Sequence, residues 1–154
     1  MQMSKSGLYA YFTSKQDLQL ATIDCAWEVF EQSVLDCGHE DLEALLERWI
    51  TYYEDEVFPG GCLFVTAGIE FANRDGAVHD ALAAAIEGQL AALQRAVTHA
   101  LEEGRLPAET DAGQLTFELH AVLTAGNQRF RINRDPAAFA HARRATQRLL
   151  RPSS

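Results

Sequence analysis

The sequence contains no uninterrupted apolar run of the roughly 20 residues that a membrane-spanning helix needs. No charged-then-apolar leader precedes its first expected helix, so a cytoplasmic location is the expectation. Proline is scarce, at 4 in 154 residues, and no clear stretch alternates apolar with polar residues. Both features favour helices over strands. Cysteine is nearly absent as well. An odd set of three, Cys25, Cys37 and Cys62, without a leader argues against a disulfide framework. Cys25 and Cys37 fall too far apart on one expected helix to bridge. The cysteines read as small buried residues. Cys62 is also a candidate reactive thiol, because it follows Pro59-Gly60-Gly61 near a helix start, where a thiol pKa can fall.

Catalytic constellations are missing too. His39, His79, His99, His120 and His141 are scattered, with no His-x-x-x-His or Cys-x-x-Cys spacing for a metal. There is no nucleophile elbow and no Gly-rich phosphate loop. The carboxylate runs Glu54-Asp55-Glu56 and Glu102-Glu103 read as solvated faces. The expectation is a protein that is not an enzyme and takes no cofactor and no metal. A net charge of -9 opposes nonspecific DNA binding. Most of the arginines lie late in the chain, at Arg129, Arg131, Arg134, Arg143, Arg144, Arg148 and Arg151. These arginines read either as a solvated face or as a basic surface meeting acidic helices of a second subunit.

What the chain has is apolar content, 47%, arranged with helical periodicity, so the predicted fold class is all-α. Ser14, with Asp17 three residues on, predicts the start of a long helix from Lys15 to about Cys37, closed by Gly38. Asp41 to Val57 carries Leu42, Leu45, Leu46, Trp49, Ile50 and Tyr53 on one face. Cys62 to Asn73 reads as a short helix, with strand as the alternative. Asp75 is expected to cap a helix whose apolar residues run Val78, Leu82, Ile86, Leu90, Leu93, Val97 and Leu101. Thr110-Asp111 caps a helix to about Asn133, and Asp135-Pro136 opens a final helix to about Leu150.

The helix from Asp111 is apolar on two sides. Leu115, Leu119, Val122, Leu123, Gly126 and Phe130 form one face; Phe117, Ala121 and Thr124 form another. A helix apolar on both sides must be covered on both. With the alanine-rich helix after it, it predicts a homodimer built on four helices. The expected interface residues are Leu119, Val122, Leu123, Gly126, Phe130, Phe139, Ala142 and Leu149; an ordinary central core helix is the alternative.

The first residues carry a resemblance. Ser4-Lys5-Ser6-Gly7-Leu8-Tyr9-Ala10-Tyr11-Phe12-Thr13-Ser14-Lys15-Gln16-Asp17-Leu18 is similar to the recognition helix and following connecting helix of TetR-type transcriptional regulators. Leu-Tyr-x-Tyr-Phe-x-Ser-Lys is the specific part. The later helices fit that family's ligand-sensing domain by number and order. The resemblance implies DNA contacts from Lys5, Ser6, Tyr9, Tyr11 and Lys15. It also implies that the first helix and most of the second helix of the DNA-binding region are missing, so operator DNA is expected as a partner only of a full-length form. Residues 1–37 then read as residual DNA-binding region and 38–154 as a ligand-sensing and dimerisation domain.

That family holds small molecules between its long helices. The resemblance therefore implies a pocket for a small apolar or aromatic ligand among Trp49, Tyr53, Phe64, Phe71, Phe117 and His120, with Glu70 and Gln89 interrupting apolar stretches nearby. The implied function is a ligand-responsive repressor. The rival reading is a standalone all-helical dimer that binds ligand or protein and never touches DNA.

Overall fold

The computed structural model describes residues 12–35, 41–58 and 61–151, and the described residues form helices with no strand. The predicted recognition helix, the Cys37–Gly38 helix end and the Pro59-Gly60 turn lie outside the described residues, Phe12 excepted.

Helix α1 (Lys15–Phe30) starts where the sequence says it should. The Ser14 hydroxyl accepts from the Asp17 N–H at 3.0 Å, filling one of the orphan donors of the first turn. The helix continues as a π-helical turn (Glu31–Leu35). A π turn leaves backbone carbonyls poorly matched, and Arg48 Nε donates to Val34 O at 2.9 Å. Helix α2 (Leu42–Glu54) is capped by Asp41, whose carboxylate accepts from the Ala44 N–H. Its whole predicted face is buried, together with Tyr52. Helix α3 (Leu63–Phe71) settles the Cys62 segment as helix, buried fully only at Phe64.

Helix α4 (Ala77–Glu102) differs from expectation at its start. Gly76 holds the cap position with no side-chain bond, and Asp75 does not cap it. Its inward face runs through Val78, Leu82, Ala85, Gln89, Leu93, Ala96, Val97 and Ala100, while Ile86, Leu90 and Leu101 are only half-buried. The alanines let neighbouring helices come close, which turns the larger residues to the flank. Helix α5 (Ala112–Asn133) is capped by Asp111 as predicted, and Arg134 ends it in the left-handed conformation. Helix α6 (Ala137–Leu149) begins one residue beyond Pro136, with Asp135 Oδ1 accepting from the Ala137 N–H at 2.9 Å.

The core is centred on Phe30, whose ring meets Trp49 at 5.0 Å, Tyr52 at 5.6 Å, Trp27 at 5.8 Å and Phe64 at 6.4 Å. Helices α1, α2 and α3 are therefore joined through one aromatic cluster, and α1 buries Ile23, Ala26 and Phe30 in it. Helices α5 and α6 pack tightly on each other: a Cβ on Gly126 would lie 3.1 Å from the Ala142 Cβ. Arg143 reaches across from α6 and binds both Glu47 and Glu54 of α2, at 2.7 and 2.6 Å. Arg131 and Arg134 both pair with Glu56. Three of the late arginines thus meet acids of their own subunit.

Candidate ligand cleft and outer helix face

Helices α3, α4 and α5 leave a cleft of ≈ 160 Å³ between them. Phe64, Val65, Gly68 and Ile86 form its apolar walls; Gln89, His120 and Thr124 contribute the polar groups; and Ile69 stands on the rim, 67% exposed. The polar residues follow from register. His120 and Thr124 are one turn apart on α5, so they share a face, and Gln89 interrupts the inward stripe of α4. Gln89 Nε2 and Thr124 Oγ1 are buried and have no hydrogen-bond partner among the described residues. Leaving a buried polar group unpaired costs about 1–3 kcal/mol; Trp49 Nε1, Tyr52 Oη and Asn127 Oδ1 are likewise buried without a partner among the described residues, away from the cleft. Burial holds the His120 imidazole below its ordinary pKa, which keeps it neutral at pH 7. Its ring lies edge-on to Trp49 at 6.2 Å.

Of the six residues expected to line a pocket, the structure brings Phe64 and His120 to this cleft. Trp49 is fully buried directly behind His120. Tyr53 is buried beside Tyr52 at 5.8 Å and does not line the cleft. Phe71 is half-buried at the end of α3, with the Arg74 guanidinium 4.6 Å from its ring centroid. Phe117 is 69% exposed on the outside of α5. Glu70 points to solvent and pairs with Arg74 at 3.5 Å. Val65, Gly68, Ile86 and Thr124 were not expected at the site. The Thr124 signal was its spacing from His120; the α3 residues gave none, because short helices carry little periodicity.

The Cys62 expectation is corrected. Its thiol is buried, and burial pushes its pKa up, outweighing the helix-start N–H groups of Phe64 and Val65 that pull the other way. Among the DNA-contact candidates, Lys15 is exposed at the first residue of α1. Lys5, Ser6, Tyr9 and Tyr11 lie outside the described residues.

The interface candidates lie mostly inside the subunit. Leu119, Leu123, Gly126, Phe139 and Ala142 are buried in its own core, and Val122, Phe130 and Leu149 are half-buried against it. Phe130 and Phe139 stack on each other at 4.8 Å. These residues fasten α5 to α6. Of the other predicted face, Phe117 and Ala121 are exposed, in a stripe with Ala125, Gln128 and Ile132, the last 72% exposed, whereas Thr124 is half-buried and lines the cleft.

Helix α1 connects to the cleft through Trp27. Its ring meets Phe64 edge-on at 6.3 Å, and a Cβ on Gly88 of α4 would fall 2.7 Å from Trp27 Cη2. Only glycine lets the indole lie this close to α4.

Among the described residues, no helix is long and apolar enough to cross a membrane, and no group of acidic, His and Cys side chains could hold a metal ion. No curated protein matches the chain. Solved structures do. A TetR transcription regulator from Haloarcula marismortui superposes with a TM-score of 0.78 at 22% identity, covering 95% of this chain and 78% of that one. The regulatory protein TetR from Rhodobacter sphaeroides gives 0.78 at 23% identity, over 96% and 82%. A TetR transcriptional regulator from Chloroflexus aurantiacus gives 0.76 at 24% identity, over 94% and 74%. At these identities the likeness establishes the fold. The family follows from the sequence: residues 38–146 match the model of the tetracyclin repressor-like, C-terminal domain. Matched over more than half its length, the chain belongs to the tetracyclin repressor-like family, that of the TetR-type transcriptional regulators.

Proposed function

We propose that residues 38–154 sense a small apolar or aromatic ligand in the cleft between α3, α4 and α5, and pair two copies of the chain through the outer faces of α5 and α6. Residues 1–37 then belong to the DNA-binding region, with Lys5, Ser6, Tyr9, Tyr11 and Lys15 as its contacts to operator DNA. The family match over 38–146 supports this division. The observation that carries the ligand reading is the cleft itself, walled by the apolar Phe64, Val65, Gly68 and Ile86 between three helices with His120 in its lining. The protein works in the cytoplasm, by binding and not by catalysis.

The contacts give the signal a route. Phe64 is at once a cleft wall and the ring against which Trp27 of α1 rests. A ligand that shifts Phe64 moves the seat of Trp27, and α1 is the helix that follows the DNA-binding residues. Two recognition helices of a dimer must match half-sites about 34–36 Å apart, so a small change in α1 weakens operator binding. The size of the effect is the ligand's differential affinity for the two arrangements.

A thermal-shift screen of small aromatic compounds, run in parallel on Gly68→Leu, tests the site. The Gly68 Cβ position already lies 3.0 Å from Ile86 Cδ1, so a leucine there fills the cleft. Compounds that stabilise the native chain but not the variant place the ligand in the cleft. Compounds that stabilise both equally move the site elsewhere.

A further inference from the structure

We infer that the groove between α1 and α4 is a second ligand site, and that it takes an organic cation with an apolar body. The inference goes beyond the reading of the cleft and does not rest on it.

Shape sets the first condition. The groove offers ≈ 590 Å³, within the range of about 300–1,000 Å³ that small-molecule sites occupy, against ≈ 160 Å³ for the cleft. Its α4 wall is Ala81, Ala84, Ala85 and Gly88. Steps of three and four put them on one helix face, and none carries more than a methyl group. The wall is therefore apolar and open to close approach. On the α1 side lie Ile23, buried, and Trp27, half-buried with part of its side chain left open.

Charge sets the second. The ionisable residues among the groove's lining are both acids, Asp24 and Glu28, and no Lys, Arg or His lines it. They stand four residues apart on α1, about 6 Å along the axis, a spacing at which like charges repel. Both are exposed, and neither has a basic partner among the described residues. Glu47, Glu54 and Glu56, by contrast, all meet arginines. A cation in the groove relieves the repulsion that nothing else there relieves.

The indole sets the third. A cation over an aromatic face is attracted by the ring quadrupole, and tryptophan is the best partner for it. Trp27 lies between Asp24 and Glu28 in the chain and opens on the same groove. An anion would meet two like charges, and a bare metal ion would gain nothing from the alanine wall. An ammonium whose nitrogen carries methyl or benzyl groups matches the wall, the ring and the carboxylates together. Trp27 also rests on Phe64, so an occupant of the groove bears directly on the seat of α1.

Two probes of nearly one shape test this: benzyltrimethylammonium and its uncharged near-isostere dimethylbenzylcarbinol, titrated by calorimetry into the 154-residue chain. The cation is expected to bind saturably, at least fivefold tighter than the carbinol, and to weaken as salt rises. It should also shift the emission of Trp27, since Trp49 is wholly buried. Asp24→Asn with Glu28→Gln should weaken the cation at least fivefold and leave the carbinol unchanged. Glu102→Gln with Glu109→Gln, the same change of net charge made beyond the groove, should leave both unchanged. Ala84→Leu fills the groove from an exposed position that suits leucine in a helix, and should weaken both probes. Gly68→Leu, in the cleft, should weaken neither. No saturable binding of the cation overturns the proposal, as does a carbinol that binds equally well. Equal losses in the two amide pairs would mean that the cation follows net charge alone, and loss in Gly68→Leu but not in Ala84→Leu would put it in the cleft; either result overturns the groove. Compounds whose binding depends on Gly68 are judged separately, so either site can fail without the other.

Discussion

The outer stripe of α5 makes the most direct prediction. Phe117 and Ile132 are 69% and 72% exposed in the subunit, and 15 residues of helix separate them by roughly 22 Å. Between them the stripe presents Ala121, Ala125 and Gln128, small or neutral residues that let a second helix approach. Replacing both ends by glutamate (Phe117→Glu with Ile132→Glu) should leave the subunit folded, because neither side chain belongs to its core. Full burial of a Phe or Ile side chain contributes about 1.5–3 kcal/mol. These two are already about one-third covered, so roughly 1–2 kcal/mol each remains to be gained on pairing. A two-fold axis doubles the pair, giving about 4–8 kcal/mol per dimer, or roughly a thousandfold or more in dissociation constant. Desolvating four carboxylates adds to the loss. Light scattering after gel filtration is the assay, with circular dichroism to show that helix content is kept. The native chain should run as a dimer at micromolar concentration and the double variant as a monomer. Ile69→Glu is the control: its side chain is 67% exposed but lies on α3, at the cleft rim, so that variant should remain dimeric. A double variant with native mass, or a native chain that is itself monomeric, would refute the placement of the interface.

Three further outcomes follow from the core and its charges. Trp49→Ala should lower stability by about 3–5 kcal/mol in urea unfolding, because Trp49 is wholly buried between Phe30 and His120; a loss below about 1 kcal/mol would mean that the aromatic cluster relaxes freely. Arg143→Met removes the tie between α6 and α2 and should cost only about 1 kcal/mol, since Glu47 and Glu54 are partly exposed and screened; the cost should shrink at high salt, and its absence at low salt would make the ion pairs decorative. That contribution also depends on pH. The Arg143 hydrogen bonds hold Glu54 below its ordinary value of 4.5, so the stability it supplies is complete above that pH and is lost as the carboxylate protonates below it. The buried imidazole of His120 acts in a higher window. Its folded pKa is depressed from 6.5, so the unfolded chain binds the proton more readily and stability falls as pH drops below that value. His120→Gln should flatten the melting temperature between pH 7 and 5, and an unchanged slope would locate the titrating group elsewhere.

The sequence by itself determined the helices, because their signals are local. Ser14, Asp41 and Asp111 cap by their own side chains, and the α2 face repeats at helical spacing, so neither depends on what lies across the fold. It also determined the family, since the match over 38–146 needs no coordinates. It brought two of the six pocket candidates, Phe64 and His120, to the cleft. The other four followed from aromatic character, which marks a core as readily as a pocket: Trp49 and Tyr53 fill the interior, Phe71 flanks it, and Phe117 faces out. Only the tertiary structure decided which side of α5 turns inward. Both sides are apolar, and periodicity fixes that a face exists without fixing what covers it. Leu119, Leu123 and Gly126 went to α6 and the core because Gly126 admits Ala142 at close range, leaving Phe117 and Ile132 outside. The same holds for charge. Whether Arg143 meets its own subunit or another depends on where α2 lies, 96 residues earlier in the chain at Glu47, and on the packing that brings those helices together.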